Sequence, residues 1–249
     1  LWQVVPLMEN VKNRQQITNK TVMYQTVIYM WMPFDYAYNF KNWLCIHVIN
    51  IFAAIMASTL IIVMETVNFM VVFNLLGHVN ILQQKIMTEF TGDLDDKEIE
   101  KRLCRLIDYH NFVIKTFKDS EAAFGLNISA NYLYNLIVDS FVIYMLLFGD
   151  ESDKVMYGCN IITSIGTLIL ISFSLEELHT TSEKFPDLIY NVNWENWSRS
   201  NQKSVLLILM QTQRVLRFKA TGGMATGVEP MMSILKSTFS YYVYLKSTI

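Results

Sequence analysis

Long apolar runs alternate with charged stretches along this chain. The run WLCIHVINIFAAIMASTLIIVM (43–64) holds no charged residue, and a helix needs about 20 apolar residues to cross the hydrocarbon layer. We read a first membrane span over 40–65, interrupted near its start by His47 and Asn50. From residue 66 the pattern continues as TVNFMVVFNLLGHVNILQQKIM, with polar residues every turn or so. That is a helix leaving the membrane with one apolar face still covered. The most charged segment, TGDLDDKEIEKRL, follows. Thr91 or Asp93 is placed to cap a new helix there, with acidic residues in its first turn. That helix runs on through LIDYHNFVIKTFKDSEAAFG into a second span over 122–148.

The second span carries Asn127, Asn131, Asn135 and Asp139 at strict four-residue spacing, which predicts one polar stripe along a single face. Each of these groups is costly against lipid, so the stripe faces protein or water. It is either a structural network or a path for ions or protons. A short acidic turn at 149–154 leads to a third span over 155–175, where Gly158, Cys159, Thr163 and Gly166 form a small-residue side suited to close helix packing. Next come a helical exit ending near Pro186, an aromatic knot, and an amphipathic helix over 203–220 with Arg214, Arg217 and Lys219 near its end. Gly222-Gly223 breaks that helix.

The last stretch, GVEPMMSILKSTFSYYVYLKSTI (227–249), is long enough and apolar enough to cross a bilayer, yet polar groups run through it. At about 100° per residue, Glu229, Ser233, Lys236, Ser237, Ser240, Tyr244 and Ser247 share a sector of about 100°. Met231, Met232, Ile234, Leu235, Phe239, Tyr242 and Val243 collect opposite. Such a helix lines a water-filled path, or packs its small polar face against a neighbour.

Composition sharpens the class. The chain is 52% hydrophobic and 17% charged, with mean hydropathy +0.26, which points to an all-α, polytopic membrane bundle set in a lipid bilayer. A net charge of −2 and the lack of a basic tract exclude a nucleic-acid partner. Cys45, Cys104 and Cys159 have no motif spacing and are expected to pack in cores. The scattered histidines predict no metal site. Without a phosphate loop, nucleophile elbow or paired catalytic carboxylates, an enzyme is not expected, nor a cofactor. The chain starts at Leu1 without Met, and residues 1–38 read as a loop already in progress. A piece lacking its amino-terminal part is the expectation.

Basic residues orient the bundle. Lys85, Lys97, Lys101, Arg102, Arg105, Lys115 and Lys118 lie between spans one and two, and Lys184, Arg199, Lys203, Arg214, Arg217 and Lys219 precede the last span. The positive-inside rule places both stretches (66–121 and 176–223) in the cytoplasm. Residues 1–38, the 149–154 turn and the carboxyl terminus are then outside. Asn19, in Asn19-Lys20-Thr21, becomes the glycosylation candidate, whereas the sequons at Asn127 and Asn196 do not.

The ordered set GHVNILQQKI, RLIDYHNFVIKTF, SLEELHTTSEKFPDLIYNVNWENWS, LLILMQTQRVLRFKATGG and LKSTFSYYVYLKS resembles the carboxyl-terminal portion of an insect odorant receptor. The resemblance implies the last four helices of a seven-helix fold with an extracellular carboxyl terminus. It also implies an odorant-tuning subunit that joins a common coreceptor in a heterotetrameric, ligand-gated, non-selective cation channel of the sensory-neuron dendrite plasma membrane. Volatile small molecules are its ligands. Helix extensions matching 66–90, 96–121, 176–197 and 203–220 would anchor subunits to one another. The last helix would line a shared pore through Ser233, Lys236, Ser237, Ser240, Tyr244 and Ser247. Tyr244 and Ser247 match the family's narrow point, where the coreceptor carries aliphatic and amide side chains instead. The implied odorant pocket takes Trp43, His47, Asn50, Ile51 and Ala54 from span one and Tyr157, Asn160, Ile161 and Ser164 from span three, although His47 and Asn50 also suit plain hydrogen-bonded helix contacts. A gustatory-type channel, or a non-channel receptor signalling through its cytoplasmic helices, is the alternative.

Overall fold

The structure, a computed structural model, describes residues 4–92, 94–149 and 154–247. The chain divides into two compact units, 1–65 and 66–249.

In the first unit, α1 (Val4–Lys12) and α2 (Arg14–Thr18) precede an irregular segment and the opening part of α3 (Phe40–Glu89). The stretch expected to be loop is therefore helical at its beginning. Asn10 ties α1 to the irregular segment, donating to Gln25 O (2.9 Å) while its Oδ1 accepts the Gln25 N–H (2.7 Å). Asn19, the glycosylation candidate, is exposed just after α2.

The second unit holds the rest of α3, then α4 (Asp96–Phe148), α5 (Lys154–Glu183), α6 (Phe185–Tyr190), α7 (Arg199–Thr212), a small hairpin and α8 (Val228–Ser247). At 50 and 53 residues, α3 and α4 extend about 75–80 Å, far beyond a hydrocarbon layer of about 30 Å. α3 runs unbroken from its apolar run through the polar-laced stretch to Glu89, and α4 runs from Asp96 through its charged first half into its apolar run, as the pattern predicted. Among the described residues, three helical stretches are long and apolar enough to cross a membrane: Phe40–Glu89, Asp96–Phe148 and Lys154–Tyr190. α8 is not among them. Its serines and lysines dilute the apolar content below that of a helix that enters lipid unaided, contrary to the expectation that it is apolar enough by itself.

The core of this unit is built from α3, α4, α5, α6 and α7, with Leu75, Leu82, Leu106, Leu168, Leu178, Phe185 and Ile208 all nearly inaccessible. Along the first half of α4 the buried residues are Ile99, Leu103, Leu106, His110, Val113 and Phe117, the alternating three- and four-residue step of a helix turning one stripe inward. Asp96 joins the start of α4 to the start of α7, accepting the Ser198 N–H (3.3 Å) with the Asn201 amide on its carbonyl (3.1 Å).

Several local expectations change. Asp95 occupies the cap position of α4, without a side-chain cap bond; Thr91 instead donates to Thr88 O (2.9 Å), and Asp93 lies outside the described residues. α7 covers 199–212, not 203–220. After it, Ser182 Oγ accepts the Leu216 N–H (3.1 Å) and Phe218 packs edge-on against Phe117, so tertiary contacts draw Arg214, Arg217 and Lys219 out of helical register. Cys45, Cys104 and Cys159 are exposed on the outward sides of their helices rather than packed in cores. The small-residue side of α5 also looks outward: a Cβ built on Gly158 or Gly166 meets nothing within 4 Å. β1 (Lys219–Ala220) pairs antiparallel with β2 (Met224–Ala225) about Gly222 (φ 79°) and Gly223 (φ 76°), a turn in the left-handed region that glycine enters without steric cost.

Candidate functional site

The polar sector of α8 and its packing side are nearly opposite. Met231 and Thr238 are buried against the bundle, with Ile234, Leu235 and Tyr242 half-buried beside them. Ser233, Lys236, Ser237, Ser240, Tyr244 and Ser247 are all exposed. At about 100° per residue the centres of the two groups lie about 170° apart. The apolar side splits in two, since Met232, Phe239 and Val243 are exposed and flank the packed stripe. Ser237 and Ser247 satisfy their own hydroxyls on the carbonyls of Ser233 (2.9 Å) and Tyr244 (2.8 Å). The polar face therefore presents four serines and the Tyr244 phenol, with the cation of Lys236 among them.

The amide-and-carboxylate stripe of α4 does not stay on one face. Asn127 donates to Asn68 Oδ1 of α3 (2.6 Å). Asn135 and Asp139 are both almost fully buried, and the Ser164 hydroxyl of α5 donates to Asn135 Oδ1 (2.7 Å), while Asp139 Oδ1 has no hydrogen-bond partner among the described residues. Asn135 further donates to Asn131 O (2.8 Å) and Oδ1 (3.1 Å). A strict four-residue step gains about 40° each time, so the stripe winds from the α3 side to the α5 side. Ser164, an odorant candidate by sequence, belongs to this network. Asn68 was not singled out beforehand; a lone amide beside the apolar run VNFMVV was its signal.

The remaining odorant candidates fall in two separate units. In the first, Trp43, His47 and Asn50 are buried and Ile51 and Ala54 half-buried. Trp43 stacks on Tyr24 (5.2 Å), Phe40 (5.8 Å) and His47 (4.8 Å), and its Nε1 donates to Gln25 O (2.9 Å). Asn50 donates to Ile28 O (3.3 Å). These side chains thus fasten the 24–28 segment to α3. His47 Nδ1 is buried with no hydrogen-bond partner among the described residues. In the second unit, Tyr157 is buried, Ile161 half-buried and Asn160 exposed.

A profile described as 7tm odorant receptor matches residues 4–239. The chain is 24% identical over 159 residues to odorant receptor 22c of Drosophila melanogaster, covering 64% of this chain and 39% of that receptor. To odorant receptor 67c of the same fly it is 18% identical over 219 residues, covering 88% and 54%. The structure of the insect olfactory receptor OR5 from Machilis hrabei in complex with eugenol superposes with a TM-score of 0.68 at 16% identity, over 100% of this chain and 62% of that one. The chain therefore spans about half, or less, of the length of these curated relatives, and the structural match speaks to fold alone.

Proposed function

Because the chain belongs to the odorant receptor family, a family of membrane receptors rather than enzymes, we propose that it forms part of an odorant-tuning subunit of a heteromeric, ligand-gated, non-selective cation channel. The subunit works with a coreceptor, in the plasma membrane of sensory-neuron dendrites, and answers volatile small molecules. The observation that carries this reading is the exposed polar side of α8. Ser233, Lys236, Ser237, Ser240, Tyr244 and Ser247 all point away from the bundle that holds the helix. Lipid is a poor environment for that side, whereas a shared aqueous pore suits it. Tyr244 and Ser247 line the narrow outer end.

Odorant contacts are proposed at Trp43, His47, Asn50, Ile51 and Ala54, where an aromatic cluster offers a buried imidazole nitrogen, and separately at Tyr157, Asn160, Ile161 and Ser164. Apolar walls with few polar groups suit small volatile ligands. Eugenol in the related Machilis receptor supports that ligand class. An odorant that fits the open state better than the closed one shifts the population toward conduction.

The test is current in cells expressing the full-length protein with a coreceptor. Ser240→Phe and Tyr244→Ala should change odorant-evoked current at equal surface abundance; currents indifferent to every change on this face would overturn the pore assignment. Orientation is checked independently. Glycosylation at Asn19 but not at Asn196 is expected, and the reverse pattern would invert the topology.

A further inference from the structure

The two ends of α8 are held very differently. Beyond Thr238 the helix touches its own chain little: among the described side chains from Phe239 to Ser247, Tyr242 is half-buried and the others are exposed. Its foot, by contrast, is embedded. Thr226 donates to Phe218 O (2.6 Å), the Gly227 N–H donates to Tyr132 Oη (3.3 Å), and the Val228 N–H donates to Glu176 Oε2 (3.2 Å).

The first amides of a helix have no partner within it, and they carry the positive end of its dipole. Here α4 and α5 supply the partners. Tyr132 Oη, already accepting from Gly227, also pairs with Ser172 Oγ (2.9 Å). Ser172 and Glu176 stand one turn apart on α5, and Tyr132 and Ser172 are fully buried. Gly227 completes the arrangement. Its φ of 111° is one that side-chain-bearing residues rarely adopt, and a Cβ there would overlap Glu176 Oε2. Pro230 follows in the first turn, where its missing N–H costs nothing.

We propose that Glu176, with Tyr132 behind it, is a positioning residue that pins the foot of α8, so that opening and closing swing the outer part of the helix about Gly227. The hinge rests on the channel reading above; the latch itself does not. A carboxylate accepting an amide at a helix start is the stronger, charge-assisted kind of hydrogen bond. Its loss frees the foot without touching the polar face.

The experiment uses the full-length receptor coexpressed with a coreceptor, at matched surface labelling. Glu176→Ala should move the odorant concentration for half-maximal current, or the closing rate, by about tenfold, and the milder Glu176→Gln by a few-fold. Gly227→Ala should match or exceed Glu176→Ala. Because it already displaces the carboxylate, adding Glu176→Ala should cost no further factor. Additive effects, or a Glu176→Ala response within about twofold of the parent, overturn the proposal. Should Glu176→Ala fail to reach the surface, the nearly isosteric Glu176→Gln decides in the same way. Amide exchange of the 224–231 segment in the purified full-length protein separates the two ideas. Exchange at Gly227 and Val228 should rise about tenfold in Glu176→Ala. Unchanged exchange removes the latch, whereas an odorant-silent parent receptor with accelerated exchange removes the channel reading and the hinge with it.

Discussion

The two halves of α4 use one geometry with opposite chemistry. Below the span, the inward stripe is Ile99, Leu103, Leu106, His110, Val113 and Phe117, while Glu100, Lys101, Arg105, Lys115 and Lys118 face out. Within the span, the stripe continues in step as Gly125, Ile128, Tyr132, Asn135 and Asp139, and Leu126, Leu133, Ile137 and Phe141 face out. The extension half has the pattern of a helix stabilised by removing apolar surface from water, charges outward and apolar side chains inward. The spanning half turns its polar groups inward because lipid cannot satisfy them. The packing of the most apolar windows agrees: only 17–22% of their residues are buried within the chain. What holds the chain together lies mainly in the extension, and what distinguishes the span is an inward polar seam.

Substitutions on this one helix sharpen the contrast. Leu106→Ala, in the extension, should cost roughly 2–5 kcal/mol, transfer and cavity terms together, read as a lowered midpoint in thermal unfolding of purified protein. An equal loss for Leu133→Ala would break the distinction. Asn135→Leu should cost about 1–3 kcal/mol by leaving the Ser164 and Asn131 groups unpaired, again by thermal unfolding, and Ser164→Ala added to it should cost little more. A pH series should reveal His110. Burial lowers its pKa, so the unfolded chain takes up the proton more readily than the folded one. The stability is complete above the ordinary histidine range and should fall as pH drops below about 6.5. His110→Phe should flatten that slope. The smallest effect is expected at Leu133→Ala, within about 0.5 kcal/mol, because its side chain is 57% exposed on the chain's outer surface.

How far the residues alone reach can be followed along α8 and α4. Apolar run lengths, the continuation of α3 beyond its apolar run, the passage of α4 from its charged first half into its apolar run, and the start of α8 after Gly227 were all legible, because each depends on local period and helix signals. The polar face of α8 was legible for the same reason. Its loosely held tip was not, nor was the grip on its foot, since Tyr132, Ser172 and Glu176 lie far from it in sequence. The winding of the Asn127–Asp139 stripe between α3 and α5 escaped because four residues overshoot a turn, and because only the neighbours reveal where each amide ends.

The order of amino acids by itself determined an all-α membrane chain with long helices and a last helix divided into polar and apolar sides. Hydrophobic period and length act within a few turns of one another, so no tertiary information is required. Only the folded structure decided that the cysteines and the α5 glycines look outward, that α7 stops at Thr212, and that Trp43 and Asn50 fasten the 24–28 segment to their helix. It also set Glu176 at the foot of α8. Those outcomes depend on which distant groups compete for the same amide, carbonyl or cavity, and that competition exists only once the helices have packed.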